Sequence, residues 1–155
     1  VIDNRTAWRE NQGLSALLES EEAIRKLEKV FKGAWKMSFD IILKELAATV
    51  GAEGAIMLDY DAEMVAAFSE STTSDIGLIG AHHAVIFNII KNISSEKGGK
   101  VEVKSVVITT GTNKLIITAI KDGYCLVLAM DKAKSTGLAI LESEKAIKKL
   151  EEEMG

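Results

Sequence analysis

The 155-residue chain contains one cysteine, Cys125, so no disulfide framework can form within it, and the sequence suits a reducing compartment. Arginine is almost as scarce: Arg5, Arg9 and Arg25 are the only three, and none occurs from Lys36 to Gly155. A catalytic arginine is therefore excluded from three quarters of the chain. No basic segment followed by an apolar one opens the sequence, as a secretory signal would require. The longest apolar stretch, Ile76 to Ile90, is broken by His82, His83 and Asn88 and is too short to span a bilayer. These absences together predict a cytoplasmic protein. A net charge of −4, from 19 Lys+Arg against 23 Asp+Glu, argues against a general nucleic-acid or acidic-membrane surface.

Catalytic constellations are missing as well. No Ser/His/Asp arrangement is evident, and Cys125 lies inside an apolar run, where it reads as packing. Adjacent helical residues such as His82 and His83 point about 100° apart and do not converge on one ion. Asp59 and Asp61 lack the further oxygen ligands of a cation loop and read as turn residues. Asn113-Lys114 and Lys134-Ser135-Thr136 have no glycine framework for a phosphate. Neither metal nor cofactor is expected, and Asn92-Ile93-Ser94 has no secretory signal to make it a glycosylation site.

What the chain does have is a hydrophobic content of 47%, enough for a proper core, and a repeated phrase. Ala16 to Phe31 returns as Ala139 to Met154 at an offset of 139 − 16 = 123 residues, with ten of sixteen positions identical. That offset is the length of one ordinary domain. The expected organisation is a loop and helix over residues 1–36, the C-terminal end of a preceding homologous repeat, followed by one complete domain over residues 37–155. An opening at Val1 in place of Met fits a piece or product of a longer chain.

In order, Val1-Ile2-Asp3 reads as the end of a strand, followed by a polar loop through Asn11-Gln12-Gly13. A helix is expected over Leu14 to Trp35, with Leu17, Leu18, Ile24, Leu27, Phe31 and Trp35 at mostly helical spacing. Isolated helices of this length are marginal in water, so the stripe is expected to dock on apolar surface. Ser38 then caps a second helix, Phe39 to Val50, with Ile41, Ile42, Leu46, Ala47 and Val50 inward and Gly51 closing it. A hairpin follows: Ala55–Asp59, a turn at Tyr60 to Glu63, then Met64–Phe68.

A long helix from Asp75 to about Ser95 carries two apolar stripes. Ile76, Ile79, His83, Ile86, Phe87, Ile90 and Ile93 form one; Leu78, Ala81, His82, Val85 and Ile89 form the other. One stripe suffices for a surface helix, so the second implies a further partner, read as a second subunit. Val101 to Thr110 begins with alternating polarity, as a half-exposed or edge strand does. Leu115 to Ile120 and Tyr124 to Met130 are joined by Asp122-Gly123, a strong hairpin signal. Because the final strand is apolar on both faces, it belongs in the middle of the sheet with helices on each side. The helix Ser135 to Met154 closes the domain with Leu138, Leu141, Ile147 and Leu150 inward. The fold class is α+β: a five-stranded antiparallel sheet with helices on both faces, in the order α-β-β-α-β-β-β-α, preceded by an extra N-terminal helix.

From Ser38 to Met154 the chain resembles the Roadblock family: the dynein light chains of that name, the MglB-type bacterial regulators of Ras-like GTPases, and archaeal relatives. The carriers are Gly51-Ala52-Glu53-Gly54-Ala55-Ile56-Met57-Leu58-Asp59, the apolar helix after the loop, the meander from Val106-Val107-Ile108 to Leu126-Val127-Leu128, and Thr136-Gly137-Leu138. Ala62 departs from the pattern, because many relatives place Gly there. The resemblance implies first and last helices on one face of the sheet and the middle helix on the other. It also implies a homodimer or heterodimer in which Val101–Ile108 pairs with its counterpart and the middle helices pack together. Leu78, His82, Val85, Ile89, Val101, Val103 and Ser105 are the expected dimer-interface residues. The implied function is a non-catalytic module that binds and regulates a small Ras-like GTPase; a structural scaffold or adaptor dimer, within a tandem-domain protein, is the alternative. Without arginine from residue 36 on, the domain would stimulate hydrolysis by positioning groups of the GTPase rather than by an arginine finger.

Overall fold

The computed structural model describes the backbone of residues 4–70, 86–93, 96 and 102–155. Residues 1–3, 71–85, 94–95 and 97–101 lie outside the described residues, and with them the strand end expected at Val1 to Asp3 and much of the helix expected from Asp75 to Ser95. Two compact units are present, Val1–Trp35 and Lys36–Gly155.

The helix α1, Asn4–Val50, is one 47-residue element contributing to both units. This corrects two expectations: the polar segment Asn11-Gln12-Gly13 is helical, and Ser38 sits inside a helix instead of capping a new one. The chain from Trp35 to Phe39 holds no proline, and a single Gly33 costs a helix only about 1 kcal/mol. Nothing stronger interrupts the turn-to-turn hydrogen bonding there. The helix stops where expected. Gly51 takes a left-handed φ of 68°, and the Ala52 N–H reaches back to the Ala47 carbonyl at 2.9 Å, a Schellman closure. In the first unit Ile24, Leu27, Val30, Phe31 and Trp35 are all exposed.

In the second unit five strands follow: β1 (Gly54–Leu58), β2 (Met64–Ser69), β3 (Ser105–Thr109), β4 (Asn113–Ala119) and β5 (Cys125–Asp131). All neighbours are antiparallel, in the order β2-β1-β5-β4-β3, so the doubly apolar β5 is central as its composition demanded. The third strand starts later than its alternating pattern suggested: residues 102–104 lie outside it, although the Lys104 carbonyl still accepts from the Ala119 N–H at 2.8 Å. Asp122-Gly123 makes the tight β4–β5 connection with both residues at positive φ, 59° and 83°, as the twist of a two-residue hairpin loop requires.

Period-2 alternation sends the sheet's side chains into two cores. On one face Ala55, Met57, Ile116, Leu126, Leu128 and Met130 meet Phe39, Leu43, Leu46 and Ala47 of α1 and Ala139, Ala146, Ile147 and Leu150 of α3 (Thr136–Met154). On the other, Ile56, Leu58, Leu115, Ile117, Cys125 and Val127 meet Phe87 of the middle helix α2, described over residues 86–93. First and last helices therefore share one face and the middle helix takes the other. Each large apolar side chain so buried contributes roughly 1.5–3 kcal/mol.

Three inward assignments are corrected. Ile41 is exposed, and Phe39 and Leu43 take its place; Leu138 and Leu141 are exposed, while Ala139, Ser143 and Ala146 face the sheet. Small residues bring the α3 backbone close to β4, and that proximity turns the two leucines outward.

Candidate interaction site

Among the described residues of the second unit, one uncovered apolar surface lies on α2, on the sheet face opposite α1 and α3. Phe87 is 2% exposed and anchors the helix to the sheet, whereas Ile86, Ile89 and Ile93 are 43%, 52% and 49% exposed. Their i, i+3, i+7 spacing puts all three on one side of the helix, away from Phe87. Ile89 thus stands on an open face. Ile86 and Ile93, grouped by the pattern in one stripe with Phe87, belong to that open face too. The error has a plain source: on a helix apolar around most of its girth, periodicity alone cannot choose which stripe the sheet takes.

Lys91 lies with its amine 5.4 Å from the Phe87 ring centroid, so its aliphatic stem flanks the anchored side of α2. Cys125 beneath this face is buried, and burial pushes its thiol up to about 11, with the Lys91 charge opposing the shift and the Asp59 charge adding to it. It is a packing residue with little thiolate at neutral pH.

The second component is the sheet edge. β3 is hydrogen-bonded to β4 on one side, and no described strand covers its other side. Val106 and Ile108 of β3, and Val103 just before it, pack against the cluster that holds Phe87. Val107 is exposed on the opposite face. The Ser105 hydroxyl donates to Thr118 Oγ1 at 3.2 Å, fastening the start of β3 to β4. Of the seven expected interface residues, Ile89, Val103 and Ser105 are described, and they border the α2 face of the sheet or its open edge. Leu78, His82, Val85 and Val101 lie outside the described residues.

Asp59 and Asp61 lie in the turn, and the Asp59 carboxylate closes it. Asp59 Oδ1 accepts from the backbone N–H groups of Asp61 and Glu63, at 2.9 Å each, closing the β1–β2 connection. Among the described residues no group of three or more His, Cys, Asp or Glu comes together where it could hold a metal ion. No described helix is long and apolar enough to cross a membrane.

Residues 38–129 match the Roadblock/LC7 domain family. No curated protein matches the chain by sequence. Solved structures similar to it include Myxococcus xanthus MglB, at a TM-score of 0.67 and 16% identity over 75% of this chain and 86% of that one. A Roadblock/LC7 domain from Streptomyces avermitilis gives 0.67 and 15% over 74% and 96%. The gliding protein mglB from Thermus thermophilus gives 0.64 and 17% over 77% and 90%. At these identities the likeness is one of fold.

Proposed function

The chain belongs to the Roadblock/LC7 domain family, and from that premise we propose that it is a non-catalytic dimeric module that binds and regulates a small Ras-like GTPase. The observation that carries the reading is the pairing of an open apolar face, Ile86, Ile89 and Ile93, with an open sheet edge at β3 in a domain of this family. Uncovered apolar side chains gain most from removal of water by a like surface, and a bare edge gains hydrogen bonds from a second strand. One two-fold contact satisfies both: the α2 helices pack and the β3 strands pair across the axis. Leu78, His82, Val85, Ile89, Val101, Val103 and Ser105 are the proposed contact set.

The GTPase arm of the reading is supported by the likeness to MglB. Residues 36–155 contain no arginine, so this domain would act on a bound GTPase by ordering the GTPase's own water-positioning and phosphate-binding groups. The test is a titration of the purified chain against the Ras-like GTPases of its source, each loaded with GDP or a non-hydrolysable GTP analogue, followed by sedimentation. Nucleotide-dependent complex formation with one of them is expected. A dimer that binds none of them in either state would leave a scaffold in its place.

A further inference from the structure

Five side chains seat α3 on its sheet: Ala139, Ser143, Ala146, Ile147 and Leu150 are its buried residues. Subtracting the repeat offset of 123 gives Ala16, Ser20, Ala23, Ile24 and Leu27, and all five are identical. The six differences between the two copies fall at residues 140, 145, 148, 152, 153 and 154, none of them fully buried in α3. So the repeat keeps all five fully buried positions identical; Ile140 and Met154, partly buried against the core, are matched by the apolar Leu17 and Phe31, and the other four differences are at exposed positions. Even Ser143 is kept, although its hydroxyl is buried with no hydrogen-bond partner among the described residues and is therefore a poor choice for a generic apolar face. Yet in α1 the same face is open: Ile24 and Leu27 are 53% and 56% exposed.

The polar anchors of α3 are repeated too. Lys149 reaches Glu45 at 3.7 Å, and Glu151 Oε1 accepts from the Lys121 N–H at 3.1 Å. Their counterparts, Lys26 and Glu28, are unchanged, so the segment also keeps the groups with which a closing helix meets the opening helix and the β4–β5 turn of such a domain.

We propose that residues 16–31 are the closing helix of a second Roadblock/LC7 sheet, one that precedes this domain in the same polypeptide. This chain's own sheet is not the occupant, because α3 already fills that site, with Ala139 and Leu150 fully buried. The order along the chain fits the assignment. A closing-helix face over 16–31 is followed in α1 by Phe39, Leu43, Leu46 and Ala47, which open the present domain. One helix thus serves as the last element of one domain and the first of the next.

Two experiments test this. In the full chain, Ile140→Leu, Lys145→Glu, Lys148→Arg, Glu152→Lys, Glu153→Val and Met154→Phe together convert α3 into the sequence of residues 16–31. If the faces are equivalent, the thermal midpoint stays within about 5 °C of the parent, less than the shift of one lost core contact; a fall of about 15 °C or more overturns the proposal. In the complete polypeptide read from its gene, Ile24→Asp with Leu27→Asp should abolish the unfolding transition of a preceding Roadblock-type domain and leave that of residues 37–155 in place. A gene with no such domain overturns the proposal. So does concentration-dependent amide protection of residues 16–31 in the 155-residue chain, which would make a second copy the occupant.

Discussion

Lys114 on β4 and Thr136 in the first turn of α3 are joined by a hydrogen bond of 2.8 Å, with Lys114 Nζ the donor and Thr136 Oγ1 the acceptor. The lysine also donates to the Lys134 carbonyl, and its side chain is buried. One long side chain thereby holds the β5–α3 connection against the sheet, while the Ser135 hydroxyl, 3.2 Å from the Leu138 N–H, caps the helix. Thr136→Val keeps the shape and removes the acceptor. A loss of about 1–2 kcal/mol is expected from urea denaturation, with an unchanged m-value. Equal stability of the variant and parent would show that the contact contributes nothing.

Ala62 closes the β1–β2 turn at a φ of 63°, its N–H donating to the Asp59 carbonyl at 3.0 Å. A Cβ in the left-handed region costs about 1–2 kcal/mol, and glycine avoids that strain while losing some chain entropy and a little packing. Ala62→Gly is therefore expected to stabilise the domain by about 0.5–1 kcal/mol. Equilibrium denaturation of the two proteins decides the sign.

The sheet was legible in the sequence because its strands are short, strongly apolar and separated by turn residues with defined backbone demands. Asp122-Gly123 and the doubly apolar run from Cys125 to Met130 placed β4 and β5 without ambiguity. Helix faces were harder to read. Leu138 and Leu141 looked inward by hydropathy, yet Ala139, Ser143 and Ala146 take the sheet because close backbone approach outweighs side-chain size. The break expected at Ser38 failed for a similar reason: a capping residue permits a helix start but does not compel one. On α2 the two stripes were visible, but which would face the sheet depended on Phe87, which joins the buried cluster of Ile56 and Val127.

Burial raises the Cys125 thiol from an ordinary value of 9.0 to about 11. The unfolded chain then releases the thiol proton first as pH rises, so folding stability is full below about pH 9 and falls between 9 and 11. The slope in that window is about 1.4 kcal/mol per pH unit, and Cys125→Ala should lack it. Denaturation of both proteins from pH 8 to 11 is expected to show curves that approach one another as pH rises. Parallel curves would mean that the thiol titrates alike in both states. At neutral pH the native thiol should resist alkylation that the urea-unfolded chain undergoes readily.

Ile89 and Ile93 separate folding from association because neither side chain is committed to the core, whereas Phe87 on the same helix is. Ile89→Asp with Ile93→Asp puts two carboxylates on the open face, where water solvates them in a monomer. In a packed pair of α2 helices the same carboxylates would lie beside their own copies and lose that water, at several kcal/mol in total. The double variant should sediment as a monomer while keeping the parent's far-ultraviolet circular dichroism and, at equal low concentration, its thermal midpoint. Phe87→Asp should instead unfold the domain, since it places a charge against Ile56, Leu58 and Val127. A double variant that remains a dimer would move the interface off this face of α2, leaving the open edge of β3 to carry association alone.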